Sequence, residues 1–182
     1  MTTHDQRDRI RNIVLTALFA AMIFTAITLV RVPNPIGGII HFGDTFIFLA
    51  GAVLPFPYPL FAAGIGAGLA NINAGLFMWA PFTVVIKPLM TLCFTARTPK
   101  ILESRRNYIA PFFAGAINLV LYYLALSLLI GLGIREVDED VTMRVALLIP
   151  MANVPGDLIQ FAGSAVGYFA LAKFIDRSGV RG

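Results

Sequence analysis

Three ionisable side chains stand in stretches that are otherwise apolar. Asp44 follows His41-Phe42-Gly43, Lys87 ends Pro81-Phe82-Thr83-Val84-Val85-Ile86-Lys87, and Asp157 lies within Asn153-Val154-Pro155-Gly156-Asp157-Leu158-Ile159-Gln160. A charge at the centre of a bilayer costs about 2.5 to 3.5 kcal/mol on insertion scales, so each of these needs a partner or a task. Two carboxylates and one ammonium in an apolar setting can pair internally, or they can hold the N–H and C=O groups of a polar ligand. Asp44 also suits a helix N-terminus, where a carboxylate accepts backbone N–H bonds and meets the positive end of the helix dipole. Lys87 suits an ion pair with Asp44 or Asp157. That pair would still put charge beside a cavity, because a lone ammonium in lipid deprotonates or snorkels to the interface.

The spacing of neighbouring amides and rings adds to this set. Asn153, Asp157 and Gln160 fall at i, i+4 and i+7, and Asn118 and Tyr122 at i and i+4, so each group shares one helix face. Such faces are unstable against lipid and are expected to turn inward. Asn71, Asn73, Phe77, Trp79 and Phe82 crowd the stretch between two apolar runs. They read either as an interfacial aromatic belt or as a lid that stacks on a planar ligand. Pro155-Gly156 is expected to loosen its helix and free backbone groups next to a cavity. The candidate substrate-binding set is His41, Asp44, Asn71, Trp79, Lys87, Asn118, Tyr122, Asn153 and Asp157.

Signatures of catalysis are missing. The chain has no Gly-x-Ser-x-Gly, no His-Glu-x-x-His and no Gly-rich phosphate loop. His4 and His41 are the two histidines, and a His41/Asp44 metal pair would lack further ligands. No enzyme activity, metal or cofactor is expected.

The elements that must position these residues are membrane helices. Charged residues make up 13% of the 182 residues and hydrophobic ones 58%, against about 25% charged in soluble domains, and mean hydropathy is +0.79. Apolar runs predict helices at 10–30, 42–54, 60–74, 78–96, 109–132 and 145–175, within one integral membrane domain spanning 1–182. Leu54-Pro55-Phe56-Pro57-Tyr58-Pro59 separates the second run from the third with a corner that no straight helix crosses. The first run follows Arg7, Arg9 and Arg11. It is too long for a signal peptide and lacks a small-residue cleavage site, so it reads as a retained helix.

Charge fixes the expected topology. Basic residues gather at Arg7, Arg9 and Arg11, at Arg97, Lys100, Arg105 and Arg106, and at Lys173, Arg177 and Arg181. Cytoplasmic loops prefer such charge, and four runs before Arg97 with two after it put all three patches on one side. Both termini are therefore expected in the cytoplasm. The acidic segment Arg135-Glu136-Val137-Asp138-Glu139-Asp140 falls on the opposite face. The net charge of +4 is thus a topology signal, and nucleic acid is not an expected partner. Cys93 is the sole cysteine, which rules out an internal disulfide and reads as a small apolar filler. Ala17 and Ala21, and Ala62, Gly66 and Ala70, repeat every four residues and make flat surfaces for close approach in lipid, for internal packing or for docking another subunit.

Three stretches carry a family resemblance: His41-Phe42-Gly43-Asp44-Thr45-Phe46-Ile47-Phe48-Leu49-Ala50-Gly51, Trp79-Ala80-Pro81-Phe82-Thr83-Val84-Val85-Ile86-Lys87-Pro88-Leu89-Met90, and Ala17-x-x-x-Ala21. The chain resembles the substrate-binding S components of energy-coupling factor (ECF) transporters, the prokaryotic ABC-type importers of vitamins and related micronutrients. The first two stretches resemble the branch with hydroxymethylpyrimidine and queuosine-precursor S components. The resemblance implies a six-helix bundle in a prokaryotic plasma membrane. It implies a ligand site near the outer face and docking of Ala17 and Ala21 on a transmembrane coupling subunit that works with two ATPases. Pro88 departs from the glycine expected in that branch, which leaves the placement of Lys87 open. A self-sufficient proton-coupled transporter or small channel, with Asp44, Lys87 and Asp157 as a relay, is the competing reading.

Overall fold

The computed structural model describes residues 3–33, 39–134 and 148–179. Among them are six α-helices: α1 (Thr3–Leu29), α2 (Asp44–Val53), α3 (Tyr58–Asn73), α4 (Ala80–Thr91), α5 (Arg105–Gly131) and α6 (Val154–Ser178). A short antiparallel hairpin of β1 (Val32–Pro33) and β2 (Ile39–Ile40) joins α1 to α2, with Val32 opposite Ile40, and a 3-10 turn, Ile149–Asn153, leads into α6. The acidic segment Arg135 to Asp140, the start of the predicted sixth run at 145–147, and residues 34–38 of the first loop lie outside the described residues.

The six α-helices among the described residues differ in reach. Asp5–Leu29, Arg105–Gly131 and Pro150–Ser178 are long and apolar enough to cross a membrane. At a rise of about 1.5 Å per residue such segments exceed the roughly 30 Å hydrocarbon core. The helices α2, α3 and α4 have 10, 16 and 12 residues. Prolines stand at the start of α3 and inside α4. Pro59 falls in the first turn of α3. Pro88 has no N–H to donate to the Val84 carbonyl, and α4 ends at Thr91 rather than near residue 96.

Pro155 sits in the first turn of α6, directly after the 3-10 turn Ile149–Asn153, so the chain stays helical on both sides of it, from Pro150 to Ser178. Asp157 lies in the first α-helical turn after that change of pitch.

Small residues decide how the short helices pack. On α3, Ala62, Ala63, Ala67 and Ala70 are fully buried. A Cβ on Gly66 would come within 2.6 Å of the Ala20 carbonyl and 2.9 Å of Ile23 Cβ, and one on Gly68 within 2.6 Å of Val84 Cγ2. Glycine is thus what lets α3 lie against α1 on one side and α4 on the other. The Ala62, Gly66 and Ala70 stripe is internal packing. Ala17 and Ala21 differ: both are exposed, in an apolar groove of about 700 Å³ bordered by Ile13, Phe24, Phe61 and Leu69. The apolar core draws on all six helices, from Phe19 and Ile23 on α1 to Tyr168 and Ala172 on α6. Many large apolar side chains, among them Val14, Leu18, Val85, Ile159 and Val166, point outward, as lipid contact requires and water would penalise.

Candidate ligand-binding site

A cavity occupies the end of the bundle where α2, α4 and α6 begin and α3 and α5 finish. Its polar lining is His41, Asn71, Trp79, Lys87, Asn118, Tyr122, Tyr123, Asn153, Asp157 and Gln160, and Leu76, Leu119, Leu126, Pro150 and Val154 complete it. Every residue of the candidate set lines this cavity except Asp44, which lies behind Lys87.

Each side chain reaches the cavity for a local reason. The i, i+4 spacing of Asn118 and Tyr122 places both on one face of α5, and the first turn of α6 delivers Asp157 one turn above Gln160. Trp79 precedes the first residue of α4 and Thr83 follows one turn later. Asn71 belongs to the last turn of α3, not to the loop, and Phe82 belongs to α4. Asn73 and Phe77 stand exposed outside the cavity lining, whereas Trp79 and Asn71 belong to it.

The ammonium of Lys87 is the hub. Its Nζ donates to Asp44 Oδ1 at 2.7 Å and to Asn118 Oδ1 at 2.8 Å, and lies 5.4 Å from the centre of the Tyr122 ring. Lys87 is 2% exposed and Asp44 3%. A buried pair of this kind survives only when further hydrogen bonds satisfy both charges. Gln160 provides them: its Nε2 donates to Asp44 Oδ2 at 2.8 Å while its Oε1 accepts the His41 N–H at 3.1 Å. One amide therefore ties α6 to the ion pair and to the end of the hairpin. Gly43 N–H donates to His41 Nδ1, which leaves the proton of neutral imidazole on Nε2. Burial keeps His41 neutral, lowering its pKa to about 4. Pro88 does not displace Lys87 from the interior.

A second chain of bonds closes the far wall. Asn71 Nδ2 donates to Thr83 Oγ1 at 2.5 Å, and the Thr83 and Tyr122 hydroxyls lie 2.7 Å apart. Trp79 packs beside Tyr122 with ring centres 5.9 Å apart. Flat rings and amide edges around a partly enclosed volume suit a planar polar guest.

Asp44 resolves one sequence alternative. It heads α2, but both its oxygens serve Lys87 and Gln160, so its principal task is the ion pair. Sequence reasoning placed Gln160 on the correct face without giving it a role, and it did not pick out Thr83, whose single hydroxyl links Asn71 to Tyr122. Among the described residues no group of three or more His, Cys, Asp or Glu side chains could hold a metal ion.

A family model described as the S component of ECF-type riboflavin transporters matches residues 7–177. No curated protein matches the chain.

Proposed function

The chain belongs to the family of S components of ECF-type riboflavin transporters, and from that premise we propose that it captures a small, planar, polar micronutrient in the cavity beneath Trp79 for import by partner subunits. An S component is the substrate-specific subunit of its transporter, an integral membrane protein and not an enzyme. The cavity end faces outward in this reading, because the basic residues Arg105, Arg106, Lys173 and Arg177 lie at the opposite ends of α5 and α6 and such residues favour the cytoplasmic side. The termini are then cytoplasmic, and all six helices traverse or line the bilayer of a prokaryotic plasma membrane. The Ala17 and Ala21 groove is where a transmembrane coupling subunit docks, with two ATPases behind it.

The observation that carries this reading is the cavity itself: rings of Trp79 and Tyr122 beside the Lys87 ammonium, Asn118 and Asp157, in a chain whose remaining surface is largely apolar. Riboflavin, from the family's description, and the hydroxymethylpyrimidine and 7-deazaguanine classes, from the sequence resemblance, are the first ligands to assay.

The small molecule that stays with the chain through purification, identified by mass spectrometry, supplies the substrate for a liposome assay. Uptake is expected only when the coupling subunit, both ATPases and ATP are present. Uptake by the lone chain on a proton gradient would replace this reading with a proton-coupled carrier that uses Asp44, Lys87 and Asp157 as its relay.

A further inference from the structure

The two walls of the cavity are finished differently. On the α6 side acceptors stay open: Asn153 Oδ1 is buried with no hydrogen-bond partner, and the half-buried Asp157 carboxylate accepts no hydrogen bond and forms no ion pair among the described residues. On the α4 and α5 side the polar groups are spent on one another. Thr83 and Lys87 stand one turn apart on α4, as Asn118 and Tyr122 do on α5. They join as two rungs, Lys87 Nζ to Asn118 Oδ1 at 2.8 Å and the Thr83 hydroxyl to the Tyr122 hydroxyl at 2.7 Å. The Lys87 rung continues inward to Asp44 and Gln160. The Thr83 rung continues to Asn71, whose Nδ2 donates to Thr83 Oγ1 at 2.5 Å.

The proton count gives the Thr83 rung a direction. A threonine hydroxyl carries one proton and two lone pairs, and Asn71 occupies one of those lone pairs. If Tyr122 donated as well, the Thr83 proton would be stranded, because Thr83 is 2% exposed and has no other acceptor for it among the described residues. A buried donor left unpaired is costly. Thr83 therefore accepts from Asn71 and donates to Tyr122, and its one hydroxyl serves two bonds.

What hangs on this rung is the turn between α3 and α4. Its backbone N–H groups find acceptors close by in the chain: Gly75 donates to the Ile72 carbonyl, Leu76 to that of Asn71 and Trp79 to that of Leu76. Gly75 takes φ +73°, with nothing within 4 Å of the place a Cβ would fill, and Phe77 is exposed. The turn thus meets the bundle mainly where Trp79 packs against Leu126 and Ile130 and where Asn71 bonds to Thr83. A segment with few buried contacts opens at low cost, so one buried hydrogen bond at its base is a large part of what keeps it shut.

We propose that Thr83 is a positioning residue of the site: its hydroxyl latches the α3–α4 turn to α5 and so holds Trp79 and Leu76 over the cavity, separately from the Asp44–Lys87 pair. This rests on the cavity being the ligand site of the S component, but the latch itself is measured without a ligand.

Amide hydrogen exchange on the purified full chain in nanodiscs compares the wild type with Thr83→Val, which keeps the shape and loses the hydroxyl, and with Thr83→Ser, which keeps the hydroxyl. Thr83→Val should speed exchange at Gly75 to Trp79 about three- to tenfold, the worth of one hydrogen bond, and leave exchange around Gln160 as it was. Trp79, the chain's one tryptophan, should become easier to quench with acrylamide. Thr83→Ser should restore both readings. Asn71→Ala breaks the same bond from the turn side and should reproduce the pattern, which keeps the test decisive should Thr83→Val not fold; the double variant should exchange no faster than either single one. Unchanged exchange at the turn, an equal rise throughout α4 and α6, or Thr83→Ser behaving as Thr83→Val would overturn the latch. The predicted exchange pattern in a wild type that purifies with no small molecule would uphold the latch and overturn the ligand-site reading instead.

Discussion

The bundle has a polar network at each end, and the two are built differently. At the cavity end the Asp44, Lys87, Asn118 and Gln160 cluster is made of side chains bonded to side chains, and it borders Asp157 and Asn153, which keep open acceptors. At the opposite end side chains bond to backbone. Asn107 Nδ2 donates to the Thr95 and Ile101 carbonyls while its Oδ1 accepts the Thr95 N–H, and the Tyr168 hydroxyl donates to the Asn107 carbonyl. Asp176 on α6 accepts the N–H groups of Ile101 and Leu102 at 2.6 and 2.9 Å. Arg106 donates to the carbonyls of Leu92 and Cys93 just past α4. This network pins the turns between α4 and α5. A polar network whose capacity is fully taken up holds structure, and one that leaves buried acceptors open beside a void is equipped to hold a guest.

The comparison breaks first at Lys87. Lys87→Met strands a buried carboxylate, and unfolding in mixed micelles should show a loss of about 3–5 kcal/mol. Adding Asp44→Asn should return most of it; a single variant as stable as the wild type would mean that the pair holds little. At the other end, Asn107→Ala leaves several backbone groups without partners and is expected to cost about 1–3 kcal/mol with ligand affinity unchanged, which separates a structural network from a binding one. Trp79→Ala should do the reverse. Losing an aromatic contact of about 0.5–1.5 kcal/mol together with its buried area weakens ligand about tenfold and shifts the unfolding transition little. The smallest effect on the isolated chain belongs to Ala17→Trp with Ala21→Trp. Filling the α1 and α3 groove should leave stability and binding as they were and abolish only co-purification with the coupling subunit; retained assembly would place docking elsewhere.

Much of this was legible because charge is rare in an apolar chain. Asp44 and Lys87 stand out by type alone, and helical spacing put Asn118 with Tyr122 and Asp157 with Gln160 on shared faces. What spacing does not give is which carboxylate takes the ammonium. Asp44 and Asp157 look equivalent in sequence, and only the packing of α2 against α4 and α6 makes the first a structural partner and leaves the second open. Small-residue stripes were ambiguous for a similar reason. Ala62, Gly66 and Ala70 face inward and Ala17 and Ala21 outward, although both sets repeat every four residues. The change from 3-10 to α-helical pitch at Asn153–Val154 was not legible, because apolar periodicity alone does not distinguish the two helix types. Asn107 and Asp176 went unnoticed because they sit among the basic residues that signal topology.

Native mass spectrometry of the chain released from mild detergent tests most directly whether the open acceptors mark an occupied site. The wild type is predicted to carry one small molecule per chain. A Trp79→Ala and Asp157→Asn double variant, with the Asp44–Lys87 pair intact, is predicted to carry none while keeping its fold. The same bound mass on both proteins, or a bare wild type, would contradict the account.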